Sequence, residues 1–364
     1  MYNPIKMQVI YLMLGNECNF KCKYCIQDGE FKKTSLKKQI KIANKVYDYI
    51  NDLIKMRPDN QEKIHLIFWG GEPLIYMDAI KSVVSHLNDS VTYGIISNGA
   101  LLNDEIVDFL NEHNIAFTVS NDGPNTKKTR FVNVLENPSF CELFKKIKQR
   151  SVSSVISAYN QDFQVLKNYV YKKLGETNIN FDILEPSETL PQEIFEINYE
   201  VFTKSLIKMT DQVMRDILTG KYTCERYFLT NFIEKIARGD ENPNFFVNHF
   251  CNELHTSISL DIDGNIYTCH NSTRQVTDID KNEETIIKDC AEDFKKVDIL
   301  SFKNCSECYI KKYCQGGCKI IQPHYKGIKE CCELRRTIFA AVFYLVDKLN
   351  KYFENVDTLE GDEL

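Results

Sequence analysis

Between residues 7 and about 215 the chain alternates two patterns of apolar positions. Short runs rich in β-branched and aromatic residues give way to longer segments in which apolar residues recur every three or four positions, the periods of strands and amphipathic helices. Residues 8–14, 63–69, 91–96, 115–119, 152–156 and 179–184 read as strands. Helical spacing follows over 35–55 (Ile40, Ala43, Val46, Ile50, Leu53), 77–88 and 103–112, after the fifth strand, and in a long stretch beyond Pro191. Six strand–helix units predict a parallel sheet. Right-handed crossovers leave either an open sheet with helices on both faces or a barrel-like curve. The loops favour the curve. Cys18 to Cys25, Gly70-Gly71-Glu72-Pro73, Ser97-Asn98-Gly99 and Ser120-Asn121-Asp122-Gly123-Pro124 each follow a strand, so all fall on the C-terminal face, where barrels carry their sites. The expected fold is α/β, a partial (β/α)6 TIM-like barrel whose open side admits a large substrate.

Past residue 220 the pattern changes. A helical stretch over 221–250 breaks at Gly239-Asp240 and Pro243. Residues 256–262 and 266–268 then flank Asp263-Gly264-Asn265, a hairpin signal. Cysteines crowd the segment from Cys251 to Cys332 with few core-forming residues, which predicts a small metal-stapled domain. A last amphipathic helix is expected over 333–353, with a disordered acidic tail after it. The expected division is a barrel over 1–220, a helical linker over 221–250, the cysteine-rich domain over 251–340, and the terminal helix and tail over 341–364.

Composition narrows the function classes. The 364 residues suit about two domains. A net charge of −6 leaves no global basic footprint for nucleic acid, and the local run from Lys32 to Lys38 reads as a solvated helix face. No stretch approaches the roughly 20 apolar residues of a membrane span, and residues 1–7 lack the features of a signal peptide. Fourteen cysteines without an export signal point to metal or redox work in the cytoplasm.

Cys18, Cys22 and Cys25 form a C-x3-C-x2-C cluster, and the next cysteine is Cys141. Three ligands with no fourth nearby suggest a metal centre with an open position, where bound metals do chemistry. A structural zinc site completed from a distance, or thiols packed as small hydrophobes, are the plainer readings. Neither explains a cluster after the first strand of a parallel sheet with Gly-Gly-Glu-Pro after the second.

In that context the chain resembles the radical S-adenosylmethionine (radical SAM) superfamily. The resemblance implies that the three thiolates hold a [4Fe–4S] cluster whose fourth iron binds the methionine end of S-adenosylmethionine. Reductive cleavage then yields a 5′-deoxyadenosyl radical that abstracts a substrate hydrogen. It implies further that Tyr24 lies near the adenine, and that Gly70, Gly71, Glu72 and Pro73 receive the methionine ammonium. Ser97 and Asn98 match the family's Thr-Asn-Gly loop with Ser for Thr, and Ser120 and Asp122 its Ser-x-Asp-Gly loop. Arg130 is a candidate partner for the methionine carboxylate, a surface salt bridge being the alternative.

The later cysteines resemble the SPASM extension of that superfamily, although Cys-x2-Cys pairs also suit zinc. By the resemblance, Cys251, Cys269 and Cys318 ligate a first auxiliary [4Fe–4S] cluster, and Cys305, Cys308, Cys314 and one of Cys331 and Cys332 a second. Cys332 is favoured, because Cys332-Glu333 matches the Cys-Glu opening of a terminal helix. Fully ligated members carry a further cysteine shortly before Cys251, where this chain has Phe245 and Phe246. The first auxiliary cluster is therefore expected to have an open iron, or one filled by Cys224 or His249. Cys141, Cys224 and Cys290 have no place in either motif and are expected to be buried spectators.

SPASM-bearing relatives mostly act on peptides or proteins, so the leading expectation is modification of a ribosomally made peptide by a thioether or other crosslink. Sulfatase maturation by formylglycine formation ranks second: that branch carries Asp after the cysteine matching Cys269, where this chain has His270. A non-catalytic iron–sulfur or zinc protein ranks third. The resemblance also implies an external reductant of flavodoxin or ferredoxin type. Only 17 residues precede Cys18, so leader recognition is expected either on a separate protein or on another surface of this chain.

Overall fold

The computed structural model describes residues 4–25, 41–58, 60–186, 190–241, 256–272, 274–295, 303–314 and 327–361. The strands are β1 (Val9–Met13), β2 (His65–Trp69), β3 (Thr92–Ser97), β4 (Ala116–Ser120), β5 (Arg150–Ile156), β6 (Asn178–Ile183), β7 (Ser257–Asp261), β8 (Asn265–Tyr267) and β9 (Gln275–Asp278). The helices are α1 (Asn44–Lys55), α2 (Met77–Leu87), α3 (Asp104–Glu112), α4 (Thr126–Arg130), α5 (Pro138–Lys146), α6 (Phe163–Leu174), α7 (Tyr199–Leu218), α8 (Cys224–Glu241), α9 (Glu283–Lys295), α10 (Lys303–Ser306), α11 (Lys311–Cys314) and α12 (Ile328–Gly361).

The strands form one sheet in the order β6-β5-β4-β3-β2-β1-β7-β8-β9. From β6 to β1 every strand lies beside its sequence neighbour and runs parallel to it. A doubly wound sheet reverses direction at a switch point; this sheet winds one way only, as a barrel does, and ends at β6 on one side. Burial follows the sequence pattern. Leu66 and Phe68 of β2 point into the core, and α1 covers the sheet with Val46, Tyr47, Ile50 and Leu53 at helical spacing. Side-chain caps fix where helices start: Asn103 accepts from the Ile106 amide, and Asp162 and Asn198 cap α6 and α7 in the same way. Each such cap contributes about 1 kcal/mol.

The cysteine-rich segment is joined to this sheet. β7 pairs in parallel with β1, from Val9 opposite Ser257 to Met13 opposite Asp261. The expected hairpin is present as β7–β8, turning at Gly264 with φ +88°. It extends the barrel sheet. β9 and α9 were not anticipated; α9 buries Ile286 and Cys290 among charged residues. α12 runs to Gly361, through residues expected as a tail. It packs on α7 and α8, where Phe339 meets Phe232 edge-on at 5.3 Å. Among the described residues no helix is long and apolar enough to cross a membrane. Residues 35–40 of the expected 35–55 helix and the Lys32–Lys38 run lie outside the described residues, and the described helix begins at Asn44.

Candidate active site at the C-terminal ends of the strands

The cysteine loop leaves β1 and is held by the turn after β2. Gly71 N donates to Gly15 O at 2.9 Å, and Glu72 N to Glu17 O at 2.7 Å. A Cβ on Gly70 would lie 2.3 Å from Gly15 O, and one on Gly71 2.1 Å from Glu17 O. Gly70 also has φ +146°. These glycines therefore admit the chain's own cysteine loop, a close backbone approach of the kind that requires a missing side chain. Glu72 is buried and braces the next loop. Its Oε1 accepts from Leu74 N at 3.0 Å and Ser97 Oγ at 2.7 Å, and its Oε2 from Asn98 N at 2.7 Å. Burial raises the Glu72 pKa, and these donors oppose the rise. Most of its acceptor capacity is thus taken by protein. Pro73, also buried, opens the short helical turn after it.

Asp122 faces the protein interior. It is fully buried and does not line the cavity described below. Its Oδ2 accepts from Tyr24 Oη at 2.5 Å, Thr129 Oγ1 at 2.6 Å and Arg130 Nε at 3.1 Å, and its Oδ1 from Val155 N at 3.2 Å. It acts as the post that fixes Tyr24 and Arg130. Arg130 is no surface salt bridge: its side chain is 9% exposed, and its guanidinium lies 4.9 Å from the Tyr24 ring centroid. Burial disfavours the Arg130 charge, yet Tyr24, Asp122 and Cys22 together hold its pKa above the ordinary value.

These loops open on a cavity of about 1100 Å3. Cys18, Cys22, Cys25, Tyr24, Gly70, Gly71, Glu72, Ser97, Asn98, Ser120 and Arg130 line one side. Donors surround the thiols. Phe20 N lies 3.4 Å from Cys18 Sγ, Asn98 Nδ2 3.9 Å from the same sulfur, and Arg130 Nη1 4.0 Å from Cys22 Sγ. Burial pushes the Cys18 and Cys22 thiols up to about 11, so cluster assembly would release their protons. The donor set suits iron–sulfur ligation, in which hydrogen bonds to sulfur tune the cluster. The volume exceeds a typical small-molecule pocket, leaving room for a nucleoside cofactor and part of a second molecule.

The opposite wall was largely missed by sequence reasoning. Helix α8 presents Phe228, Asn231, Phe232 and Lys235, one helical face. His270 comes from the loop after β8, stacked on Tyr11 at 4.0 Å and edge-on to Trp69 at 4.6 Å. Asp182 of β6 opens on the cavity while ringed by protein, and accepts from Ser153 Oγ at 2.7 Å. Burial raises its pKa, opposed by that bond and by Arg130 and His270. The alternation along β6 was the one available signal for its direction, but nothing local marks an Asp in a strand as functional.

Of the later cysteines, Cys251 and Cys318 lie outside the described residues, as do Phe245, Phe246 and His249. Cys269 is buried beside the cavity-lining His270. Cys305, Cys308, Cys314 and Cys332 are partly exposed and close enough to act on one another electrostatically. Cys331 faces elsewhere: it is buried and donates to Leu184 O at 3.0 Å. Cys224 donates to Glu225 Oε2 at 3.1 Å within the core, and burial pushes its thiol up to about 12. Cys141 and Cys290 are buried in the same core.

The Radical SAM superfamily sequence model matches residues 12–159, the span from β1 through the fifth strand. The radical SAM cyclopropyl synthase TigE of Paramaledivibacter caminithermalis is 23% identical, with 92% of this chain and 73% of that protein covered. The cysteine-type anaerobic sulfatase-maturating enzyme of Clostridium perfringens is 23% identical, covering 83% of this chain and 86% of the relative. Among solved structures, native anSMEcpe with bound AdoMet superposes with a TM-score of 0.68 at 19% identity, covering 94% of this chain and all of that one. The same protein with AdoMet and the Cp18Cys peptide gives 0.67 at 18% identity, covering 95% of this chain and 99% of that one.

Proposed function

Because the chain belongs to the radical SAM superfamily, with the partial-barrel fold of those enzymes, we propose that it modifies a peptide or protein by radical chemistry. The observation that carries this reading is the shared cavity: three thiols after β1 face a second wall built from α8 and the residues around Cys269. When bound, the cluster and S-adenosylmethionine would supply the 5′-deoxyadenosyl radical that removes a substrate hydrogen.

The chain's own part is holding, orienting and proton transfer. Cys18, Cys22 and Cys25 hold the cluster. Tyr24 and Arg130, fixed by Asp122, together with Gly70, Gly71, Ser97, Asn98 and Ser120, form the cofactor wall. Cys251, Cys269 and Cys318 hold one auxiliary cluster, and Cys305, Cys308, Cys314 and Cys332 the other. Asp182 is the proton acceptor, since it lines the cavity and the serine bond leaves most of its oxygen capacity open. An external reductant of flavodoxin or ferredoxin type supplies the electron.

Crosslink formation, such as a thioether, is the leading reaction. His270 supports it: the aromatic stack at 270 is a wall rather than the carboxylate that the sulfatase-maturating pattern has there. Formylglycine formation is the second reading, favoured by the 86% coverage of the sulfatase-maturating relative and by the Cp18Cys peptide bound in a structural neighbour. The test is anaerobic reconstitution with iron and sulfide, followed by measurement of 5′-deoxyadenosine. Cleavage with a strong reductant, and more than one cluster per chain, is expected. A protein that binds one cluster or none, or releases no 5′-deoxyadenosine, defeats the reading.

A further inference from the structure

The cysteine loop has an outer face as well as the one it turns to the cavity. Lys23 N donates to Thr129 O at 2.8 Å, which ties the loop to α4. The Lys23 ammonium lies 6.0 Å from the Tyr159 ring centroid and the Lys128 ammonium 5.4 Å from the same ring, so the two cations share one surface. Beyond Lys128, Phe131 is 57% exposed and Val132 45%. Phe131 has φ +65°, a left-handed turn that bulky residues avoid, and the turn sends Arg130 inward and Phe131 outward. Lys21 and Lys127 are exposed on the same two segments. Glu193 pairs with Lys23 at 3.5 Å and Glu136 with Lys127 at 2.5 Å. Lys21 and Lys128 have no carboxylate partner among the described residues. None of these lysines, nor Phe131 or Val132, lines the cavity, although their neighbours Cys22 and Arg130 do.

We propose that this patch, built from Lys21, Lys23, Lys128 and Phe131, is where a small electron-transfer protein with an acidic face docks to deliver its electron. The inference rests on the function proposed above. The cavity side of the cysteine loop is given to the cofactor and the substrate, so a protein reductant has the outer side. Lys23 adjoins Cys22, so a partner seated on Lys23 stands one residue, about 3.8 Å of backbone, from a cluster ligand. One electron passes from the reduced partner; no bond forms or breaks in this chain and no proton is taken up. Charge selects the partner. The chain carries a net charge of −6, so an acidic protein is repelled by the molecule as a whole and drawn to a local group of unpaired lysines. The exposed Phe131 beside them supplies the apolar anchor of a small, transient interface.

The experiment uses the reconstituted full-length protein, with flavodoxin as the probe. Flavodoxin binding is measured by isothermal titration calorimetry at low and high salt, and 5′-deoxyadenosine release is measured with reduced flavodoxin and with dithionite. Flavodoxin should bind the parent, and more weakly as salt rises. Lys21→Glu combined with Lys128→Glu is expected to weaken binding about tenfold and to lower the flavodoxin-driven rate relative to the dithionite-driven one. Phe131→Ser should weaken binding and leave its salt dependence unchanged. Lys208→Glu, at an exposed position of α7, should change neither. Dithionite is small and needs no docking surface, so the ratio of the two rates separates docking from damage to the cluster. Unchanged flavodoxin binding in the double variant overturns the proposal and leaves the patch to another occupant, such as an acidic substrate peptide. Equal weakening by Lys208→Glu overturns it as well. A parent that releases no 5′-deoxyadenosine with dithionite defeats the proposed function instead, and the binding measurement still decides the docking surface.

Discussion

At the residue scale the site depends on two carboxylates with different work, one open to the cavity and one buried. Asp182 opens on the cavity, and burial raises its pKa. As a proton acceptor it must be ionised, so product formation should rise with pH through a value above the ordinary carboxylate range of about 4. Asp182→Asn should keep 5′-deoxyadenosine release and lose that acid limb along with most of the product. A pH profile of product formation on a substrate peptide checks this, and an unchanged limb in the variant would remove Asp182 from the mechanism. Asp122 instead holds Tyr24, Thr129 and Arg130. Asp122→Asn leaves the Arg130 charge buried without a counter-ion, a loss of about 3–5 kcal/mol, measurable by urea unfolding against the unreconstituted parent. A change below ~1 kcal/mol would show that the pair carries little of the stability. Asp122 was legible in the sequence as a motif residue, but its direction was not. Which way a loop carboxylate turns depends here on donors from Tyr24 and β5, 98 and 33 positions away, as well as from the nearby α4.

At the element scale the Gly70–Gly71 turn and the cysteine loop act as one unit. The resemblance gives these glycines to the methionine ammonium; in the structure their missing side chains also admit Gly15 and Glu17 of the same chain. The reason lies in β1 and β2, which are adjacent strands and bring their two exit loops together. Gly71→Ala would place a Cβ against the Glu17 carbonyl and break the Glu72 N–Glu17 O bond. The expected outcome is loss of about four irons per chain, one cluster of the four-iron type, with far-ultraviolet circular dichroism unchanged. Iron and sulfide assays on reconstituted protein give the number. Full iron content in the variant would mean that the loop does not depend on this turn.

At the scale of the whole molecule, six strands and the hairpin were legible because each has a local apolar pattern and a turn signal. The joining of β7 to β1 was not, since residues so far apart in sequence leave no periodic trace of their pairing. That pairing alters how the cysteine-rich segment is understood. Ile258 and Leu260 are fully buried in the same core as Ile10 and Leu12, and α12 packs on α7 and α8. The segment supplies the next strand of the barrel sheet as well as cysteines. A chain ending after residue 241 would expose β1 as an unpaired edge beside uncovered apolar surface, a template for association. Such a chain should therefore sediment as aggregates at micromolar concentration, whereas the full chain should not. A monomeric truncated protein that still binds the N-terminal cluster would show instead that the first six strands fold alone. The expected dependence has a mechanistic consequence. The strand that carries the cysteine loop at its end is itself held by the segment bearing Cys269 and His270, so each wall of the cavity supports the other.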